Sequence, residues 1–249
     1  MSAQAFDTLF EFHQFMNAYE ADYVIRDGKL VLNDPEVRRR LAQALDGYVT
    51  VYRKGCTPPA SLDWDITANN KAFMAQTVVM TPNLSLSIPS ALKATRPEDY
   101  HRNAATIDWP DGIYGQPLRL MGEIYLAAVL KDGRNVAAAE EFVRFLVAEG
   151  WLAHYLNFSG ERWLPSMPAL LDQPFWLNAS DPHRMAAVIQ AKTRPLAHDY
   201  PTATGNWRHE RVEEDFVWAK AVHRVAADGI SPEQAVDEAI ARVKQILSE

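Results

Sequence analysis

One cysteine stands in 249 residues. Cys56 therefore has no partner for an internal disulfide, and its usage marks no redox compartment. It follows Gly55 at a helix end with only Arg53 and Lys54 as cationic neighbours, which reads as a buried structural thiol rather than an activated one. Long apolar runs are missing too: none approaches the roughly 18 residues of a membrane span. Positive charge is sparse, 25 Lys and Arg against 32 Asp and Glu for a net charge of −7. The longest basic run, Arg38-Arg39-Arg40, reads as a solvated helix face, so the balance argues against a nucleic-acid surface. The sequence has no Gly-x-Ser-x-Gly elbow, no phosphate-binding P-loop and no Gly-x-Gly-x-x-Gly fingerprint, which removes three common catalytic signatures. His209-Glu210 opens half of a zinc-protease helix, but Glu213 stands where the second histidine belongs. The remaining histidines lack ligand spacing, so neither metal nor cofactor is expected. Paired carboxylates such as Asp63/Asp65 and Glu213/Glu214 say nothing about the separation that hydrolytic chemistry requires. No internal repeat or low-complexity tract is found.

What is present is ordinary globular material, 48% hydrophobic and 23% charged. Apolar residues recur at helical spacing from Phe6 to Tyr19. Val24 to Leu32, centred on Asp27-Gly28, is a hairpin signal. Asn33-Asp34-Pro35 caps a helix that Gly55 stops. A short helix is expected near Asn70–Ala75, then a buried strand Thr77–Met80. Leu118–Val129 reads as a strand interrupted at Gly122-Glu123. Helices follow over Val136–Val147, Trp151–Phe158 and Pro182–Lys192. Two amphipathic helices close the chain, about His209–Ala227 and Pro232–Leu247, the second opened by the capping box Ser231-Pro232-Glu233-Gln234. Short strands among many helices give an α/β class.

The segment Trp64–Leu92 carries the most functional information. Its polar loop Thr81–Ser85 follows the expected strand, and open α/β sheets bind ligands beyond the carboxyl ends of strands. Thr81, Asn83 and Ser85 offer donors and acceptors without a catalyst, which suits a polar uncharged solute such as a sugar. Asn83 either contacts vicinal hydroxyls or closes an Asx-turn after Pro82. Of seven tryptophans, Trp163 and Trp207 lie in loops with polar neighbours and Trp64 precedes the polar segment. Their indoles are candidates for stacking on sugar rings. Trp151, Trp176 and Trp218 read as core. Gly122 permits close backbone approach, and Glu123 either accepts hydroxyl hydrogen bonds or is a solvated residue at a hinge bulge.

The order Trp64, Asn69-Asn70-x-x-Phe73, then Val79-Met80-Thr81-Pro82-Asn83-x-Ser85-x-Ser87-Ile88 resembles the extracellular solute-binding proteins of ABC importers, family 1. Four later passages follow the same order: Trp109 to Glu123, Lys131 to Phe142, Arg162 to Pro168, and the helix start Ser231 to Ala235. The resemblance implies a helix-rich α/β fold of the periplasmic binding protein type II kind, mostly the C-terminal lobe with an incomplete N-terminal lobe. It assigns 1–117 and 198–249 to the C-terminal lobe. Residues 118–123 would be a hinge strand, and about 124–195 would return to the N-terminal lobe.

The resemblance also implies reversible capture of a small-molecule solute, saccharide or polyol, with no bond made or broken, and ABC permease membrane subunits as partners. Periplasmic localisation is implied by the same likeness. The opening residues carry no charged n-region followed by an apolar stretch, so either the product stays in the cytoplasm or an export signal lies outside this sequence; the resemblance favours the second. A chain holding half a cleft would bind solute weakly alone, and its Leu118–Val147 region would expose apolar surface and favour self-association. The rival readings are a carbohydrate-active hydrolase and a cytoplasmic interaction domain.

Overall fold

The computed structural model describes residues 1–21, 31–121, 125–194 and 207–248. The hairpin expected at Val24–Leu32 and the Gly122-Glu123 turn fall almost wholly outside them. The chain divides into two compact units. The first is Met1–Pro82, Trp109–Met121 and Arg194–Glu249; the second is Asn83–Asp108 and Gly122–Thr193.

The first unit is built on four helices, α1 (Phe6–Ala18), α2 (Pro35–Arg53), α10 (Val217–Ala227) and α11 (Pro232–Ser248). Asp34 caps α2, its carboxylate accepting the Glu36 amide at 2.8 Å, with Pro35 at the first helical position. At the far end Gly55 sits at φ +69° while its amide and that of Cys56 reach back to the Tyr52 and Val51 carbonyls. That is a glycine-terminated helix closure. Cys56 follows this turn and is exposed, not buried as the sequence suggested. The four helices bury Leu9, Phe12, Leu41, Leu45, Trp218 and Ile240 in one cluster. The side chains of Gln14 and Asn17 donate to the Arg119 carbonyl at 3.0 and 3.1 Å, fastening the 109–121 segment along α1. Arg38, Arg39 and Arg40 form the expected charged face, paired with Asp237, Glu36 and Glu20.

The helix expected over His209–Ala227 is two, α9 (Glu210–Glu214) and α10, because Phe216 adopts a left-handed φ of +51°. No glycine or proline announces that break. The strand expected at Thr77–Met80 does not form. α3 (Ala68–Met74) ends with Gln76 at φ +58°, and the Thr77 amide turns back to the Ala72 carbonyl at 3.0 Å. Thr77 thus closes a helix rather than opening a strand. Val79 is 98% exposed. Of the Leu118–Val129 strand, the described residues show only an isolated bridge at Leu120. A strand needs a paired neighbour to satisfy its backbone, and the described residues contain no extended strand that could supply one.

The second unit contains α4 (Ser87–Thr95), a π-turn at Asp99–Asn103, α5 (Val136–Val147), α6 (Glu149–Phe158), the single-turn α7 (Pro168–Leu171) and α8 (Pro182–Thr193). Its core is Leu156, Leu170, Leu171, Trp176 and Val188. Trp176 and Trp218 are fully buried as expected, whereas Trp151 stacks on Phe145 and stays exposed. α5 buries no residue. No helix among the described residues is long and apolar enough to cross a membrane.

Candidate functional site

The expected binding residues divide between the units. Trp64, Thr81 and Trp207 belong to the first; Asn83, Ser85 and Trp163 belong to the second. Gly122 and Glu123 lie outside the described residues. In the first unit Trp64 is half-buried, and Thr81 donates to the neighbouring Pro82 carbonyl at 3.1 Å. Trp207 opens a short 3-10 turn and is 64% exposed, with the Arg208 guanidinium 4.9 Å from its ring centre.

The second unit brings its three candidates to neighbouring loops. The Leu86 amide donates to the Arg162 carbonyl at 2.9 Å, tying the Asn83–Ser85 loop to the loop that carries Trp163. Asn83 is exposed, and its amide donates to the Ser87 hydroxyl at 2.8 Å. Trp163 is half-buried against the Leu156 and Trp176 core. The ring of Tyr125 meets it edge-on at 5.4 Å, and the Arg162 guanidinium lies 5.0 Å from its centre. This is an indole held on one side by a core and flanked by a phenol, a guanidinium and a loop of short polar side chains. It can stack an apolar ring face and hydrogen-bond hydroxyls at the rim.

Sequence reasoning did not single out Tyr125 or Arg162. Tyr125 falls inside the expected Leu118–Val129 strand, and Arg162 is marked only as the residue that opens the Arg162–Pro168 passage beside Trp163.

Behind this loop lies a polar network. Glu161 bridges Lys93 at 2.5 Å and Arg184 at 3.3 Å. Asp181 caps α8 through the backbone amides of His183 and Arg184 and accepts from the Tyr100 hydroxyl. Burial works to raise the Asp181 carboxyl, but the Arg184 amide, the Tyr100 hydroxyl and the nearby cations outweigh it and hold the group below its ordinary range. Burial, then the bond to Asp181, pushes the Tyr100 phenol upward. His183 is clamped between Thr106 and the Tyr100 carbonyl. Nothing in this network is poised as a nucleophile with its base.

No protein-family model matches the chain, and no curated protein matches it. Solved structures do. A candidate oligosaccharide periplasmic-binding protein from Synechococcus sp. MITs9220 matches with a TM-score of 0.64 at 16% identity, over 99% of this chain and 59% of its own. Maltose-bound MalE3 of T. maritima matches at 0.65 and 15% identity, over 95% and 57%. A cyclo/maltodextrin-binding protein complexed with maltotetraose matches at 0.63 and 22% identity, over 98% and 58%. The chain thus spans just under three fifths of the length of these neighbours, all of which are binding proteins. Its helix-rich, partial α/β architecture is that of the type II periplasmic binding proteins.

Proposed function

We propose that this chain supplies part of the solute-binding component of an ABC importer and that its solute is a saccharide or polyol. The observation that carries the reading is the Trp163 indole with Tyr125 and Arg162 at its margins, beside the Asn83–Ser85 loop. A flat aromatic face with short amide and hydroxyl partners suits the alternating apolar and hydroxylated surfaces of a sugar. The neighbours named for maltose and maltotetraose direct the first choice of ligand to maltooligosaccharides. The Arg162 guanidinium sits over the indole. A stacked sugar would displace it, leaving an exposed guanidinium free to donate to ring hydroxyls.

Trp64, Thr81, Trp207, Gly122 and Glu123 remain proposed as solute contacts on the chemistry of their side chains and backbone. The chemistry is reversible capture with no turnover. In a two-lobed binder, differential affinity for the closed state converts binding into the signal that the permease subunits read, on the periplasmic face of the membrane. The chain spans less than the full fold of its neighbours, so a single wall would bind weakly, in the millimolar range that corresponds to about 4 kcal/mol. The bare apolar side of α5 supports the further proposal that the isolated chain self-associates.

Equilibrium dialysis against a radiolabelled panel of maltooligosaccharides, monosaccharides and polyols tests the reading, with product analysis on the same samples. Saturable retention of a saccharide without breakdown supports it. Glycan cleavage, or retention of no member of the panel, removes it.

A further inference from the structure

Two consecutive residues, Gly160 and Glu161, adopt left-handed backbone at φ +74° and +65° between the end of α6 and the Arg162-Trp163 pair. Gly160 suits its place twice over: its φ is one that L side chains rarely adopt, and a Cβ there would meet the Ser90 hydroxyl oxygen at 2.6 Å unless that side chain turned away. Glu161 is another matter. Left-handed backbone disfavours a glutamate, and glycine would be the relaxed choice. Its side chain is nonetheless only 14% exposed and is held between two cations, Lys93 of α4 and Arg184 of α8. Arg184 is itself fixed, its Nε bonded to Asp181 at 2.9 Å and its guanidinium 4.1 Å from the Phe175 ring centre. The next residue, Arg162, has its carbonyl taken by the Leu86 amide. The residue after that is Trp163.

We propose that Glu161 is a positioning residue: its carboxylate, locked between Lys93 and Arg184, fixes the left-handed turn that presents the Arg162-Trp163 pair to Tyr125 and to the Asn83–Ser85 loop. The role rests on the saccharide reading above and deepens it, since an indole must be aimed before it can stack. The unfavourable backbone and the paired side chain point the same way. A glutamate in a conformation that glycine would adopt more easily is held there by its carboxylate, whose ion pairs are with Lys93 and Arg184, so it acts through the turn.

The test uses the full chain labelled with 5-fluorotryptophan, the Trp163 resonance being assigned by its loss in Trp163→Phe. Glu161→Gly removes the strut while easing the backbone, and Glu161→Gln keeps the length and an acceptor for Lys93. In Glu161→Gly the thermal midpoint stays within a few degrees of wild type, the Trp163 resonance in ligand-free protein moves and broadens, and the midpoint for maltotetraose weakens at least fivefold. Glu161→Gln recovers most of both effects. An unmoved Trp163 resonance in Glu161→Gly overturns the positioning role, whether or not saccharide binds. A resonance that moves as expected in a protein that binds no saccharide leaves the strut standing and overturns only the saccharide reading.

Discussion

The Tyr125 ring stands against the Trp163 indole at 69°, with 5.4 Å between their centres. Edge-to-face pairs of this kind contribute about 1 kcal/mol beyond the area they bury. The pair keeps one side in solvent, Tyr125 being 73% exposed. Trp163→Ala is therefore expected to weaken saccharide binding by about 2 kcal/mol, roughly 30-fold, while Tyr125→Leu weakens it less. Calorimetric titration of both variants checks the order.

α5 is an amphipathic helix without a buried residue, and Phe142, Phe145 and Val147 are exposed on it. A solitary helix of about 12 residues is marginal in water unless its apolar side is covered. The chain is expected to sediment as dimers or larger species at micromolar concentration. Phe142→Glu with Phe145→Glu should shift it toward monomer with the circular dichroism of its helices retained. Sedimentation velocity reads the outcome.

Helix α1 sets two opposing pH dependences. Burial lowers His13 to about 4; burial and then the charge of His13 lower His209 to about 3. Both bind protons more readily unfolded, so the stability tied to them is complete above about pH 6.5 and is lost as pH falls toward 4. Burial raises Glu11 to about 7 against the hydrogen bond from Tyr48, and raises Asp7 to about 6. The stability tied to Glu11 is complete below about pH 4.5 and that tied to Asp7 below about pH 3.8; they are lost as pH rises through about 7 and about 6. His13→Gln should flatten the acid limb of a stability-against-pH curve, and Glu11→Gln the alkaline limb, each by about 1–2 kcal/mol. Urea melts from pH 4 to 8 measure both.

Trp218 is fully buried among α1, α2, α10 and α11, its ring 6.0 Å from that of Phe12. Trp218→Ala should cost about 3–5 kcal/mol. Asp34→Ala, which removes the α2 cap, should cost about 1 kcal/mol. Chemical denaturation followed by far-UV circular dichroism separates the two.

The helices that the sequence announced through caps and periodicity stand where expected: α2 behind Asp34-Pro35, α8 behind Asp181-Pro182, α11 behind the Ser231 box, whose hydroxyl accepts the Gln234 amide. Local signals write these ends, so one chain suffices to read them. The expected strands were not legible in the same way. Val78-Val79-Met80 has strand composition, but a strand is decided by the neighbour it pairs with, and Gln76 turns left-handed just before it. Phe216 breaks a helix with no local mark, under contact with Phe6 at 4.9 Å. Of the proposed site, Trp163 and Asn83 were readable as loop residues able to stack and to hydrogen-bond. Tyr125 and Glu161 were not, because their contacts with Trp163, Lys93 and Arg184 come from residues distant in the chain.

The most direct test of the central claim is a fluorine-19 titration of the 5-fluorotryptophan-labelled chain with maltotetraose up to about 50 mM, well above a millimolar dissociation constant. The Trp163 resonance is expected to shift along a saturating curve while those of the buried Trp176 and Trp218 stay in place. A Trp163 resonance unmoved across the whole range would contradict the claim.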